Sequence, residues 1–239
     1  MTKASENQID ADISAQRFTE RLEGYCSLDD LPKTSENDVF MGVSMGQVFT
    51  LAKEFIDMPL DEIEKLLESP IHEVRVGGLS IMGKQAARKK TPESRKKELF
   101  DLYLKHMDRI NSWQLVDISC HKVVGGYLLD KPRDVLYKLA HSQNWCERRT
   151  AVYSTLLFIR VGDLDDAFKL SEILLNDEQH FIHTAVGGVL REAGKKDRQR
   201  LLSILDQHAA TMPRVALRYA IEHLSKEQRD HYLSMKKLG

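Results

Sequence analysis

Three helix starts along this 239-residue chain repeat a common pattern. They read S-P-I-H-E-V-R-V-G-G-L at 69–79, N-W-C-E-R-R-T-A-V-Y at 144–153 and E-Q-H-F-I-H-T-A-V-G-G-V-L at 178–190. The stretch T-M-P-R-V-A-L-R-Y-A at 211–220 is a weaker fourth. Each passes from polar residues through a basic one to small and apolar ones. Alignment places Arg75, Arg149, His183 and Arg214 in register, with Asp117 between the first two, in steps of 42, 32, 34 and 31 residues. Repeats of this length are helix pairs that cannot bury their apolar faces alone, so they stack on their neighbours. The sequence therefore predicts an all-α, HEAT-like repeat α-solenoid, one domain over 1–239 with residues 1–7 disordered. In such an array the second helices of successive pairs line a concave wall. Arg75, Asp117, Arg149, His183 and Arg214 are expected to stand in a row on it.

The rest of the chain agrees with helices. Ser44 and Gln47 have the spacing of a capping box. Ser69-Pro70 and Thr91-Pro92 offer an N-cap followed by proline at the first helical position. Further helices are predicted over about 132–141, 145–160, 164–175, 178–193, 195–208, 213–223 and 225–236. No run alternates as a strand does. Lys84, Arg88, Lys89 and Lys90 open the densest basic cluster, which reaches Lys97. As part of a basic surface, these four are candidate nucleic-acid contacts.

Net charge is −1, so nucleic-acid binding must come from a local patch rather than from the whole molecule. Cys26, Cys120 and Cys146 are odd in number and widely spaced, with no C-x-x-C. That pattern excludes a disulfide framework and a cysteine zinc site and fits a reducing cytoplasm. His121, His180 and His183 lack ligand spacing, so no metal is expected. The stretch M-T-K-A-S-E-N-Q has no signal-peptide core, and no apolar run reaches membrane-span length. The chain reads as a cytoplasmic monomer without a membrane partner or a cofactor.

The segment N-S-W-Q-L-V-D-I-S-C-H at 111–121 joins an indole, Trp113, to an acid, Asp117, four residues on. On a helix both side chains share one face, one turn apart. Ile110, Leu115, Val116, Ile118 and Val123 anchor the same helix in a core. An acid on such a helix is either ion-paired or placed at the edge of a cleft.

From about Phe40 to Leu224 the chain resembles the AlkD-like DNA alkylation repair proteins, HEAT-repeat DNA glycosylases. The resemblance is carried by S-W-Q-L-V-D at 112–117, R-R-T-A at 148–151 and A-V-G-G-V-L-R-E at 185–192. It implies that Trp113, Asp117 and Arg149 form a catalytic cleft. The implied reaction excises positively charged N3- or N7-alkylated purines from duplex DNA in base excision repair, without a base-flipping pocket. It also implies DNA contacts along the basic row, at Arg75, Arg148, His183 and Arg214, and a nucleoid-associated location. The chain departs from the family at Gly188, where a second cleft Trp is common, and at Lys33, near a position that often holds Tyr. Phe181 and Trp145 are read as inter-repeat packing rather than substitutes. The alternative is a non-catalytic HEAT-repeat protein that binds duplex or branched DNA.

Overall fold

A computed structural model describes residues 13–26, 33–35 and 38–235. The expected disorder of 1–7 lies outside them. Contacts divide the chain into two compact units, 1–123 and 124–239, where the sequence reads as one domain.

In the first unit, α1 (Ala15–Glu23) precedes two short strands, β1 (Lys33–Ser35) and β2 (Asp38–Phe40). Then come α2 (Met45–Glu54), α3 (Leu60–Glu68), α4 (His72–Ala87), α5 (Glu93–Lys105) and a 3-10 turn (Met107–Arg109). Helix α6 (Trp113–Tyr127) begins in this unit, and the division falls within it. The second unit continues with α7 (Asp134–Ala140), α8 (Trp145–Ser154), α9 (Leu156–Val161) and α10 (Asp165–Ile173). It ends with α11 (His180–Gly194), α12 (Arg198–His208), α13 (Arg214–Ala220) and α14 (Lys226–Ser234).

The expected all-α class holds, with one correction. β1 and β2 pair antiparallel, Lys33 with Phe40, Thr34 with Val39 and Ser35 with Asp38. Three-residue strands are too short to show the two-residue alternation that marks a strand in sequence. Val39 N–H also donates to the Pro70 carbonyl at 3.3 Å, which ties the hairpin to the turn before α4.

Local signals set the helix ends. Ser44 and Gln47 form the full capping box of α2. After Ser69-Pro70 the helix starts two residues late, at His72, and the Ser69 hydroxyl accepts the Ile71 N–H at 3.1 Å. The helix predicted over 145–160 breaks at Thr155 into α8 and α9.

Each unit is built around one helix. α4 packs on α2, α3 and α5 and is buried from His72 to Gln85 except for Lys84. α11 packs on α8, α10, α12 and most extensively α13. A Cβ built at Gly187 would lie 2.5 Å from the Ala216 carbonyl oxygen and 2.6 Å from Tyr219 Cβ. The missing side chain lets α11 and α13 approach. Gly188 next door has nothing within 4 Å of that position and opens onto a groove of about 410 Å³ with Tyr153, Arg160 and Lys196 on its lining. The paired glycines of A-V-G-G thus separate into a packing glycine and an open one.

Candidate active site

Ser112 caps α6: its hydroxyl accepts the Leu115 N–H at 3.3 Å and its carbonyl accepts the Val116 N–H at 3.2 Å. The helix buries Leu115, Val116, Ser119, Cys120 and Val123 on one side. Positions 113 and 117 share one flank of that buried stripe, as the four-residue spacing requires. Trp113, in the first turn, is 41 % exposed, and Asp117 is half-buried one turn deeper. An indole with that much surface in water is not core packing. It leaves an aromatic face beside a carboxylate on a rigid helix.

The base of this helix is fixed from below. Arg75 is 2 % exposed and both terminal nitrogens of its guanidinium bond within the unit. It donates to the Ser69 carbonyl at 2.8 Å, to the Asp38 carboxylate and, at 3.4 Å, to Asn111 Oδ1 just before the cap. Asp38 also meets His72 Nδ1 at 3.0 Å. Arg109 donates to the Glu68 and Ser69 carbonyls at 2.9 and 3.1 Å. Two arginines therefore hold the α5–α6 connection to the turn before α4.

This corrects the expected row. Arg75, Arg148 and His183 each reach the backbone carbonyl six residues earlier, those of Ser69, Ser142 and Asp177. The equivalent of Arg75 is thus Arg148, one residue off the sequence alignment. Arg148 also grips both Asp177 carboxylate oxygens, at 2.5 and 3.0 Å. The repeated basic residue staples the turn before its helix. Arg214 donates to the Leu233 and Met235 carbonyls at the end of α14. Arg88 pairs with Asp57 at 2.5 Å. Lys89 and Lys90 are exposed.

Arg149 lies in the second unit, 3 % exposed. It donates to the Phe181 carbonyl and to Thr184 Oγ1, both on the first turn of α11, and its guanidinium carbon sits 4.7 Å from the Tyr153 ring centroid. Trp145, one turn before Arg149, stacks on Phe181 with centroids 5.1 Å apart and planes 24° apart. The inter-repeat packing expected for that pair is present, yet Phe181 remains 39 % exposed. The three α8 residues share the face that seats α11.

Two predictions follow from the packing. Gly187→Ala should destabilise by about 1–3 kcal/mol through overpacking against the α13 backbone. Gly188→Ala should be neutral or stabilising by up to about 1 kcal/mol from helix propensity, and Gly188→Trp should fold. Denaturant titration of the three variants checks this, and equal losses at both positions would contradict it. Burial pushes the Cys146 thiol up to about 12, and Cys120 is buried as well. Only the half-exposed Cys26 should therefore react with a thiol reagent at pH 8 in native protein, with all three reacting after unfolding. Two fast native thiols would contradict that burial.

Among the described residues no helix is long and apolar enough to cross a membrane. The fold is similar to two solved structures. A predicted DNA alkylation repair enzyme from Enterococcus faecalis is 19% identical over 80% of this chain and 90% of its own, with a TM-score of 0.63. AlkD2 from Streptococcus mutans is 15% identical over 89% of this chain and 100% of its own, with a TM-score of 0.60. No curated protein matches the sequence. The family model described as DNA alkylation repair enzyme matches residues 7–224, nearly the whole chain, and the protein belongs to that family.

Proposed function

We propose that the protein is a DNA glycosylase that hydrolyses the N-glycosidic bond of positively charged N3- or N7-alkylated purines in duplex DNA, without a base-flipping pocket. The observation that carries this reading is the exposed Trp113 indole one turn from half-buried Asp117. An alkylated purine already bears positive charge and leaves without protonation. As the C1′–N bond breaks, its electron pair returns to the base and neutralises it, and the sugar takes oxocarbenium character. Water then adds at C1′ and loses a proton, leaving an abasic sugar. One carboxylate suffices: Asp117 stabilises the sugar cation and orients the water. Trp113 offers its π-face to the same developing charge.

Arg149 enters this proposal as a pre-positioned cation for a phosphate beside the lesion. Its bonds to Phe181 and Thr184 on α11 fix the guanidinium, so it is held in place before DNA arrives. Arg149→Lys should therefore retain more activity than Arg149→Ala.

A second reading, binding of duplex or branched DNA without chemistry, is favoured by the open space at Gly188. Strand cleavage by alkali after incubation with a duplex carrying one N7-methylguanine separates the two. The glycosylase raises alkali-labile abasic sites at the lesion well above the level of a protein-free control, and the binder leaves them at that level.

A further inference from the structure

Lys84 is the one half-buried residue in the otherwise buried stretch of α4. Its ammonium donates to Ser80 Oγ at 2.5 Å and lies 5.6 Å from the Phe49 ring centroid on α2. Neither partner carries a negative charge. Burial lowers its proton affinity, and so do two further cations, Lys122 and then Lys53. They come from three elements: Lys53 from the last turn of α2, Lys84 from α4 and Lys122 from α6. Gly83 brings α4 and α6 close. A Cβ there would stand a tight 3.3 Å from Ser119 Cβ, so its absence eases the approach of α6 to α4, and the Lys122 stem runs alongside with its Cδ 3.5 Å from the same point.

The acids nearest Lys53 in sequence are engaged elsewhere. Glu54 pairs with Arg21 at 2.6 Å and Asp57 with Arg88. Like charges gathered beside α4 cost free energy, because the partly desolvated setting of Lys84 strengthens their repulsion. An anion shared by all three reverses the sign of that term. Lysine suits a tetrahedral oxyanion here: each ammonium is a compact charge with three rotatable donors, with no planar fork demanding a carboxylate. We infer that Lys53, Lys84 and Lys122 form a phosphoryl-anion site that takes one backbone phosphodiester of bound DNA. The choice of DNA over free phosphate as its source rests on the proposed function.

Salt-dependent binding of an undamaged duplex tests the site. Neutralising one phosphate contributes about 0.9 to the slope of log K against log salt. Lys84→Gln and Lys122→Gln should each lower the slope by up to about that amount. The double variant should lower it little further, because both lysines serve the same phosphate. In wild-type protein carrying 13C-labelled lysine, the Lys84 titration midpoint should rise by about one unit when duplex is added, as expected for a nearby opposite charge. Unchanged slopes, or fully additive losses, would overturn the shared site. A midpoint that rises equally with millimolar inorganic phosphate alone would make free phosphate the ligand and overturn the assignment to DNA. The wild-type titration keeps the test valid if a variant fails to fold. Base release with unchanged slopes sinks this site alone, whereas reduced slopes without base release sink the glycosylase reading alone.

Discussion

Asp117→Asn should abolish most base release while leaving DNA affinity at or slightly above the wild-type level. In the proposed mechanism the carboxylate acts on charge that exists only as the glycosidic bond breaks, so its loss should fall on the rate rather than on binding. Removing one such preorganised electrostatic group commonly costs about 10²–10³ in rate. Asn keeps the size and a hydrogen-bonding oxygen, so α6 keeps its start at Ser112 and its buried face, and Trp113 keeps its place one turn away. Single-turnover release from a duplex containing N7-methylguanine measures the loss, and fluorescence anisotropy measures affinity. A wild-type rate in the variant removes Asp117 from the chemistry. A parallel collapse of binding assigns it to positioning instead.

Arg75→Ala destabilises the protein by about 3–5 kcal/mol, the range for removing one partner of a buried ion pair. The side chain of Asp38 is 8 % exposed and would keep only His72, and the Ser69 carbonyl would lose its donor. For a chain of this size the loss lowers Tm by roughly 6–20 °C, at about 2–4 °C per kcal/mol. Arg75→Lys should lose most of the same stability, since one ammonium cannot reach Ser69, Asp38 and Asn111 together. A Tm within 2 °C of wild type for Arg75→Ala, by roughly the same scaling, would show that the arginine is not a strut. Had Arg75 been a DNA contact, the variant would instead keep its stability and lose salt dependence.

Much of the fold is legible in the sequence because repeated helix starts carry their own local chemistry. The Ser44–Gln47 box and the prolines at 70 and 92 place helix starts to within two residues. The α6 stripe of Trp113 and Asp117 follows from spacing alone. The sequence does not show which cations face water. Arg75 and Arg148 look like a binding row because burial and ion pairing depend on Asp38 and Asp177, 37 and 29 residues away. Lys122 carries no signal, since only the close approach at Gly83 brings α6 against α4. The two glycines of A-V-G-G are identical in sequence, and only the α13 backbone distinguishes them.

The most direct test is release of free N7-methylguanine from methylated duplex DNA by purified wild-type protein, with Asp117→Asn alongside and chromatography of the released base as readout. The account predicts time-dependent release by the wild type, well above the rate of spontaneous loss, and release near that background by the variant. Background release by both proteins, with tight duplex binding preserved, would contradict it and leave the non-catalytic reading.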